Sequence, residues 1–126
     1  RDARRILGSQ AIIGLSVETM AQVEEANRLE LNYIAISPVY PTPTKQDTAA
    51  AWGMDGISQA RRISRHPVAA IGGLHRGNAA QAAAAGADMV AVVSAVCSAE
   101  NPEGAARTLS VEIRDGILDR AKRGAQ

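Results

Sequence analysis

The sequence predicts a parallel β/α fold, and three observations carry that prediction. Four short apolar runs recur along the chain, at residues 11–15, 33–36, 68–71 and 89–93. None shows the polar alternation of a half-exposed strand, so each reads as a strand buried on both faces. Each is followed by a segment with apolar residues at helical spacing, and β then α repeated four times is the pattern of a parallel sheet with crossover helices. Such a sheet is either open or closed into a barrel. In both versions ligands sit at the carboxyl ends of the strands.

Residues 1–7 are charged and are followed by Gly8, which reads as the end of a helix with a left-handed cap. Strand one, residues 11–15, ends at Ser16. Thr19 with Gln22 forms a capping-box start for a helix carrying Met20, Val23, Ala26 and Leu29 on one side. Strand two, residues 33–36, feeds the loop Ser37-Pro38-Val39-Tyr40-Pro41-Thr42-Pro43-Thr44-Lys45. Each proline fixes its own φ and biases the residue before it towards extended geometry, so this loop leaves the strand stiff. Its threonine hydroxyls, backbone N–H groups and lysine ammonium suit a phosphate or pyrophosphate; the competing reading is a rigid turn with a solvated lysine.

Trp52-Gly53 precedes a helix carrying Ile57, Ala60 and Ile63, which His66-Pro67 stops. Strand three, residues 68–71, ends in Gly72-Gly73. An alanine-rich helix runs over 78–85 and is closed by Gly86. Strand four, residues 89–93, ends at Ser94. Asn101-Pro102-Glu103 supplies an N-cap, a first-turn proline and a first-turn acid, and residues 111–126 read as a peripheral amphipathic helix with a frayed end.

A chain of 126 residues suits a single domain, 1–126. Only Trp52, Tyr33 and Tyr40 are aromatic and 25 residues are alanine, so the helices must pack closely on small side chains. The net charge of +1, with acids and bases interspersed, leaves no basic stripe for nucleic acid, and so few aromatics make no base-stacking platform. Cys97 is the single cysteine, which excludes an internal disulfide and fits a reducing cytosol. No apolar run approaches membrane-spanning length, and no signal-peptide apolar region follows the first residues. The expectation is a soluble, cytoplasmic protein.

Gly72-Gly73 removes side chains at a strand end where backbone can approach a ligand, and Ser94 opens a short segment whose N–H groups can point at an anion. In (β/α)₈ barrels a phosphate is often held after the last two strands, and here two adjacent units show the feature together. A plain turn and a helix cap are the alternative. Gly14-Leu15-Ser16, the proline loop through Lys45, Ala70-Ile71-Gly72-Gly73, Ala85-Gly86-Ala87-Asp88 and Val92-Val93-Ser94-Ala95, in this order and at these spacings, resemble the thiamine phosphate synthase family. The resemblance covers nearly the whole chain, and the Pro-Thr-Pro-Thr-Lys loop is its specific part.

That resemblance implies a TIM-barrel fold of which this chain supplies four βα units, strands five to eight. It implies a transferase of thiamine biosynthesis that joins hydroxymethylpyrimidine pyrophosphate to thiazole phosphate with Mg²⁺, releasing pyrophosphate. By motif, Ser16 and Lys45 contact the leaving pyrophosphate and are the catalytic residues. Thr42, Pro43, Thr44, Gly73, Val93 and Ser94 hold the thiazole phosphate. The family reaction is understood as dissociative, so the site needs charge neutralisation of the leaving group more than a general base.

The family's pyrimidine-binding segment and its Mg²⁺-binding aspartates have no match here. Asp47, Asp55 and Asp88 fall in the proline loop, at a helix start and ahead of a strand. The expectation is therefore a half barrel, completed by an N-terminal half of a longer enzyme, by a second polypeptide or by another copy. Glu18 stands where many relatives carry histidine, which counts against tautomerase activity, and it reads as a first-turn acid. His66 and His75 lack metal-ligand company, and Cys97 reads as packed rather than nucleophilic. Trp52 reads as an anchor of the proline loop. A non-catalytic phosphate-binding half barrel, a thiazole tautomerase-like protein and a purely structural fragment are the alternatives.

Overall fold

A computed structural model of the chain describes residues 2–41 and 51–124. In order these form α1 (Asp2–Leu7), β1 (Gly14–Val17), α2 (Met20–Ala26), β2 (Tyr33–Ile36), α3 (Gly53–Ile63), β3 (Val68–Ile71), α4 (Ala79–Ala85), β4 (Met89–Ala91), α5 (Ser94–Cys97) and α6 (Pro102–Gly124). The four strands make one parallel sheet in the order β1-β2-β3-β4. Helix α2 packs beside α3, α3 beside α4, and α4 beside α6, so the helices form one continuous layer. A doubly wound sheet reverses its strand order and is covered on both faces. Sequential strands under a single helical layer are instead the winding of a (β/α) barrel.

Alternation along the strands explains the one-sided core. Val17, Ile34, Ile36, Val68 and Ala70 face the helices and bury against Val23, Ala26, Ile57, Ala60 and Ala82. Their neighbours in sequence face the other way. Ser16, Ala35, Ala69 and Met89 lie opposite one another across the four strands. With Gly14, Tyr33, Ile71 and Ala91 they line a trough of about 380 Å³ on which no described element packs. Among the described residues β1 and β4 each pair on one side only.

Strand one begins later than the sequence indicates. Arg4 donates to Gly8 O at 3.0 Å, Ala11 O at 2.7 Å and Asn32 Oδ1 at 2.9 Å. Asn32 Oδ1 also accepts from Ile13 N at 2.8 Å, and Asn32 N donates to Ile13 O at 2.7 Å. This web holds the segment after α1 as a loop, leaving Ile12 exposed and moving the strand to Gly14–Val17. The fourth strand is likewise shorter, ending at Ala91. The last helix runs unbroken from Pro102 to Gly124, so residues 111–124 continue an element that packs on α4. Cys97, expected to be packed, is exposed at the end of the one-turn helix α5.

Small residues set the helix spacing. Ala79, Ala82 and Ala83 of α4 are buried, and α6 approaches them at Gly116, where a Cβ would fall 2.4 Å from Ala80 O and 2.8 Å from Ala83 Cβ. Asp88, just ahead of β4, ties this layer to the sheet. Its Oδ1 accepts from Arg120 Nη2 at 2.9 Å and its Oδ2 accepts from Arg61 Nη1 and from Val68 N, the latter at 2.9 Å. Arg61 reaches on to Ser64 O at 2.8 Å and His66 O at 3.0 Å. The knot joins α3, α6, β3 and β4 at the amino ends of the strands, the end associated with stability rather than ligand binding.

Asp88→Asn removes the acceptor of one arginine while conserving shape. It should lower unfolding free energy by about 1–3 kcal/mol, measured by urea denaturation. Gly116→Ala should cost a similar amount, about 1–3 kcal/mol, by overpacking the contact between α4 and α6, with a matching fall in melting temperature.

Candidate functional site

The carboxyl ends of the strands lie side by side because the register pairs Val17 with Ile36, Ile36 with Ala70, and Ile71 with Ala91. The proline loop, Gly72-Gly73 and the segment Val92-Val93-Ser94 therefore emerge along one rim. The loop does not simply leave the sheet. Past the end of β2, Val39 N donates to Ile71 O at 3.0 Å and Tyr40 N donates to Gly72 O at 3.1 Å. The chain returns through Trp52 N to Pro38 O and Gly53 N to Val39 O, both at 2.9 Å. Trp52 Nε1 donates to Ser37 O at 3.2 Å, which bears out its role as the loop's anchor. Both flanks of residues 42–50 are thus pinned to the rim. Thr42, Pro43, Thr44, Lys45 and Asp47 themselves lie outside the described residues.

The glycine pair serves this docking directly. Gly72 has φ +107° and Gly73 φ +69°, in the left-handed half of backbone space that L side chains rarely adopt. A Cβ on Gly72 would fall 2.8 Å from Pro38 Cα, and one on Gly73 would fall 2.7 Å from Tyr40 Cβ. The missing side chains make room first for the loop. Any ligand approaching here meets a rim already built from two strand ends locked together.

Ser16 sits within β1 rather than beyond it, exposed and lining the trough opposite Ala35. Val93 and Ser94 are exposed at the start of α5, whose first N–H groups have no partner inside the helix. Glu18 lies one residue ahead of the α2 N-cap Thr19 rather than in the first turn. Its N–H donates to Gln22 Oε1 at 2.6 Å, while Thr19 Oγ1 accepts from Gln22 N at 3.2 Å. His66 Nε2 donates to Ala26 O at 2.9 Å, a helix-end contact on the sheet's other end. His75 is exposed on the loop after Gly73. Among the described residues no three His, Cys, Asp or Glu side chains gather into a metal site.

The sequence reasoning passed over Asn78, whose side chain reaches back to this rim. Its signal was an asparagine at a helix start, five residues after Gly73 and three after His75.

The family model described as thiamine monophosphate synthase matches residues 1–96, which include all four strands. A thiamine-phosphate synthase of Albidiferax ferrireducens is 48% identical over 100 residues, covering 79% of this chain and 46% of the relative. One of Leptospira biflexa is 49% identical over 108 residues, covering 82% of this chain and 51% of the relative. A solved thiamine phosphate pyrophosphorylase from Pyrococcus furiosus superposes with a TM-score of 0.81 at 30% identity, over 92% of this chain and 55% of that one. The chain spans about half the length of these relatives.

Gly72→Ala forces a Cβ onto Pro38 at a positive φ. It should destabilise the chain by about 1–3 kcal/mol and loosen the loop, read as faster hydrogen exchange at the Val39 and Tyr40 amides.

Proposed function

The chain belongs to the thiamine monophosphate synthase family, and we propose from that membership that it supplies strands five to eight and the phosphate-binding rim of a cytoplasmic thiamine phosphate synthase. The reaction is condensation of hydroxymethylpyrimidine pyrophosphate with thiazole phosphate. The observation that carries the reading is that the matched region spans all four strands and every loop at their carboxyl ends. No helix among the described residues is long and apolar enough to cross a membrane.

In this reading the pyrimidine's methylene–oxygen bond breaks, and pyrophosphate departs with the bonding pair. The thiazole nitrogen then supplies its lone pair to form the new carbon–nitrogen bond. The protein's task is to neutralise the departing charge and to hold the nucleophile in line. Lys45 and Ser16 act on the pyrophosphate: Lys45 through its ammonium, Ser16 as a hydroxyl donor from the trough. Thr42 and Thr44 hold the thiazole phosphate by their hydroxyls and Gly73, Val93 and Ser94 by backbone N–H groups, while Pro43, which has no donor, fixes the backbone between the two threonines. The pinned flanks of the proline loop support this division, because the outgoing flank is bonded to the end of the next strand and the returning flank is bonded to the outgoing one, so both ends of the loop start from the rim. Mg²⁺, which the resemblance implies, has no gathered set of His, Cys, Asp or Glu ligands among the described residues.

The trough belongs in this reading to the interior of the barrel. A parallel strand is ordinarily covered on both faces, and the face that carries Ser16, Ala35, Ala69 and Met89 is covered by no described element. Further strands complete it, from a longer form of the chain, a second polypeptide or another copy.

The test is pyrophosphate release from the two substrates with Mg²⁺, by this chain alone and by this chain joined to the N-terminal half of a relative. The completed barrel should turn over, and Lys45→Ala should reduce turnover by about 10²–10³-fold. Full activity in the Lys45→Ala variant, or silence of the completed barrel, would remove the reading.

A further inference from the structure

We propose that Asn78 is a positioning residue for the thiazole phosphate site, holding the Gly73–Leu74 peptide in the orientation that binds the anion; the inference rests on the assignment of Gly73 to that site. Asn78 occupies the N-cap of α4, where an asparagine ordinarily accepts a hydrogen bond from an amide of the first helical turn. Here it makes no such bond. Its side chain is turned into the preceding loop instead. Asn78 Oδ1 accepts from His75 N at 2.8 Å, and Nδ2 donates to Gly73 O at 3.0 Å, with His75 Nε2 at 3.3 Å. The loop closes on the same residue through its backbone, Asn78 N donating to His75 O at 3.1 Å.

Gly73 is therefore gripped from two sides. Tyr40 fills the space beside its Cα and binds the preceding carbonyl, that of Gly72, while Asn78 holds its own carbonyl. A trans peptide is planar with its N–H opposite its C=O, so Tyr40 on Gly72 O sets the Gly73 N–H, and Asn78 on Gly73 O sets the other side of the same glycine and aims the Leu74 N–H away from Asn78. Glycine at φ +69° has wide conformational freedom of its own, and a backbone anion site needs that freedom removed. A favourable helix cap is forgone to do so. The sequence position of Asn78 fits capping, and only its side-chain contacts separate the two roles.

The variant that separates them is Asn78→Ser. Serine is as good an N-cap as asparagine and carries no charge, but it is too short to bridge to Gly73. Thiazole phosphate, and separately inorganic phosphate, would be titrated calorimetrically into this chain and into the variant, with melting temperatures recorded in parallel. The expected result is an affinity for thiazole phosphate lower by about tenfold at an unchanged or raised melting temperature, with the Gly73 and Leu74 amide resonances shifted. In the completed barrel, KM for thiazole phosphate should rise with little change in kcat, and KM for the pyrimidine substrate should stay in place. Equal affinity in the two proteins overturns the role of Asn78 and leaves the site assignment standing. Affinity and melting temperature falling together would make Asn78 merely structural and overturn it as well. No binding by the unaltered chain, alone or in the completed barrel, removes the site assignment and this inference with it.

Discussion

Two residues without Cβ atoms let the loop after one strand lie directly on the end of the next, and the rim at the carboxyl ends of the strands depends on that contact. Pro38 and Tyr40 occupy the space that side chains at Gly72 and Gly73 would take. The pairing of β2 with β3 thereby continues beyond the strands, through Val39 to Ile71 and Tyr40 to Gly72. Trp52 then returns the chain to Pro38 and Ser37. Pro38 and Pro41 fix φ in the outgoing flank of the loop and stiffen it. Glycine on the neighbouring strand supplies the close approach that turns stiffness into a fixed position.

The opposite end of the sheet is organised by charge. Asp88 gathers Arg61, Arg120 and the Val68 amide, and through them α3, α6, β3 and β4. The groups are about a quarter to a third exposed, so solvent screens the pairs, and their effect comes from the number of elements joined at one carboxylate. The two ends thus divide the work: ionic and amide hydrogen bonds fasten the helices at the amino ends of the strands, leaving glycine, serine and exposed backbone for the carboxyl ends. Between them the helices approach on alanine and glycine, as Gly116 against Ala80 and Ala83 illustrates.

The outline of the fold was readable because apolar runs and caps are local signals. β2 and β3 fall where the runs at 33–36 and 68–71 place them, and Gly8 and Gly86 end their helices with positive φ. β1 was misplaced because residues 11–13 are as apolar as a strand, while the contacts that make them a loop come from Arg4 and Asn32, far apart in sequence. The last helix was divided for a similar reason. Its buried stripe is sparse, and Gly116, a poor helix former, is buried because α4 crosses there.

What the sequence determined by itself was the repeated strand and helix, their direction, and the residue types brought to the strand ends, since periodicity, capping and proline geometry act within a few residues. The tertiary structure decided what those residues are for locally. It made Gly72-Gly73 a seat for the proline loop, turned Asn78 from a helix cap into a brace for Gly73, and put Ser16 in the trough rather than at a strand end. It also decided that α2, α3, α4 and α6 share one face, which distinguishes barrel winding from an open sheet. These outcomes depend on which residues from distant segments meet, and a short window of sequence carries no term for that.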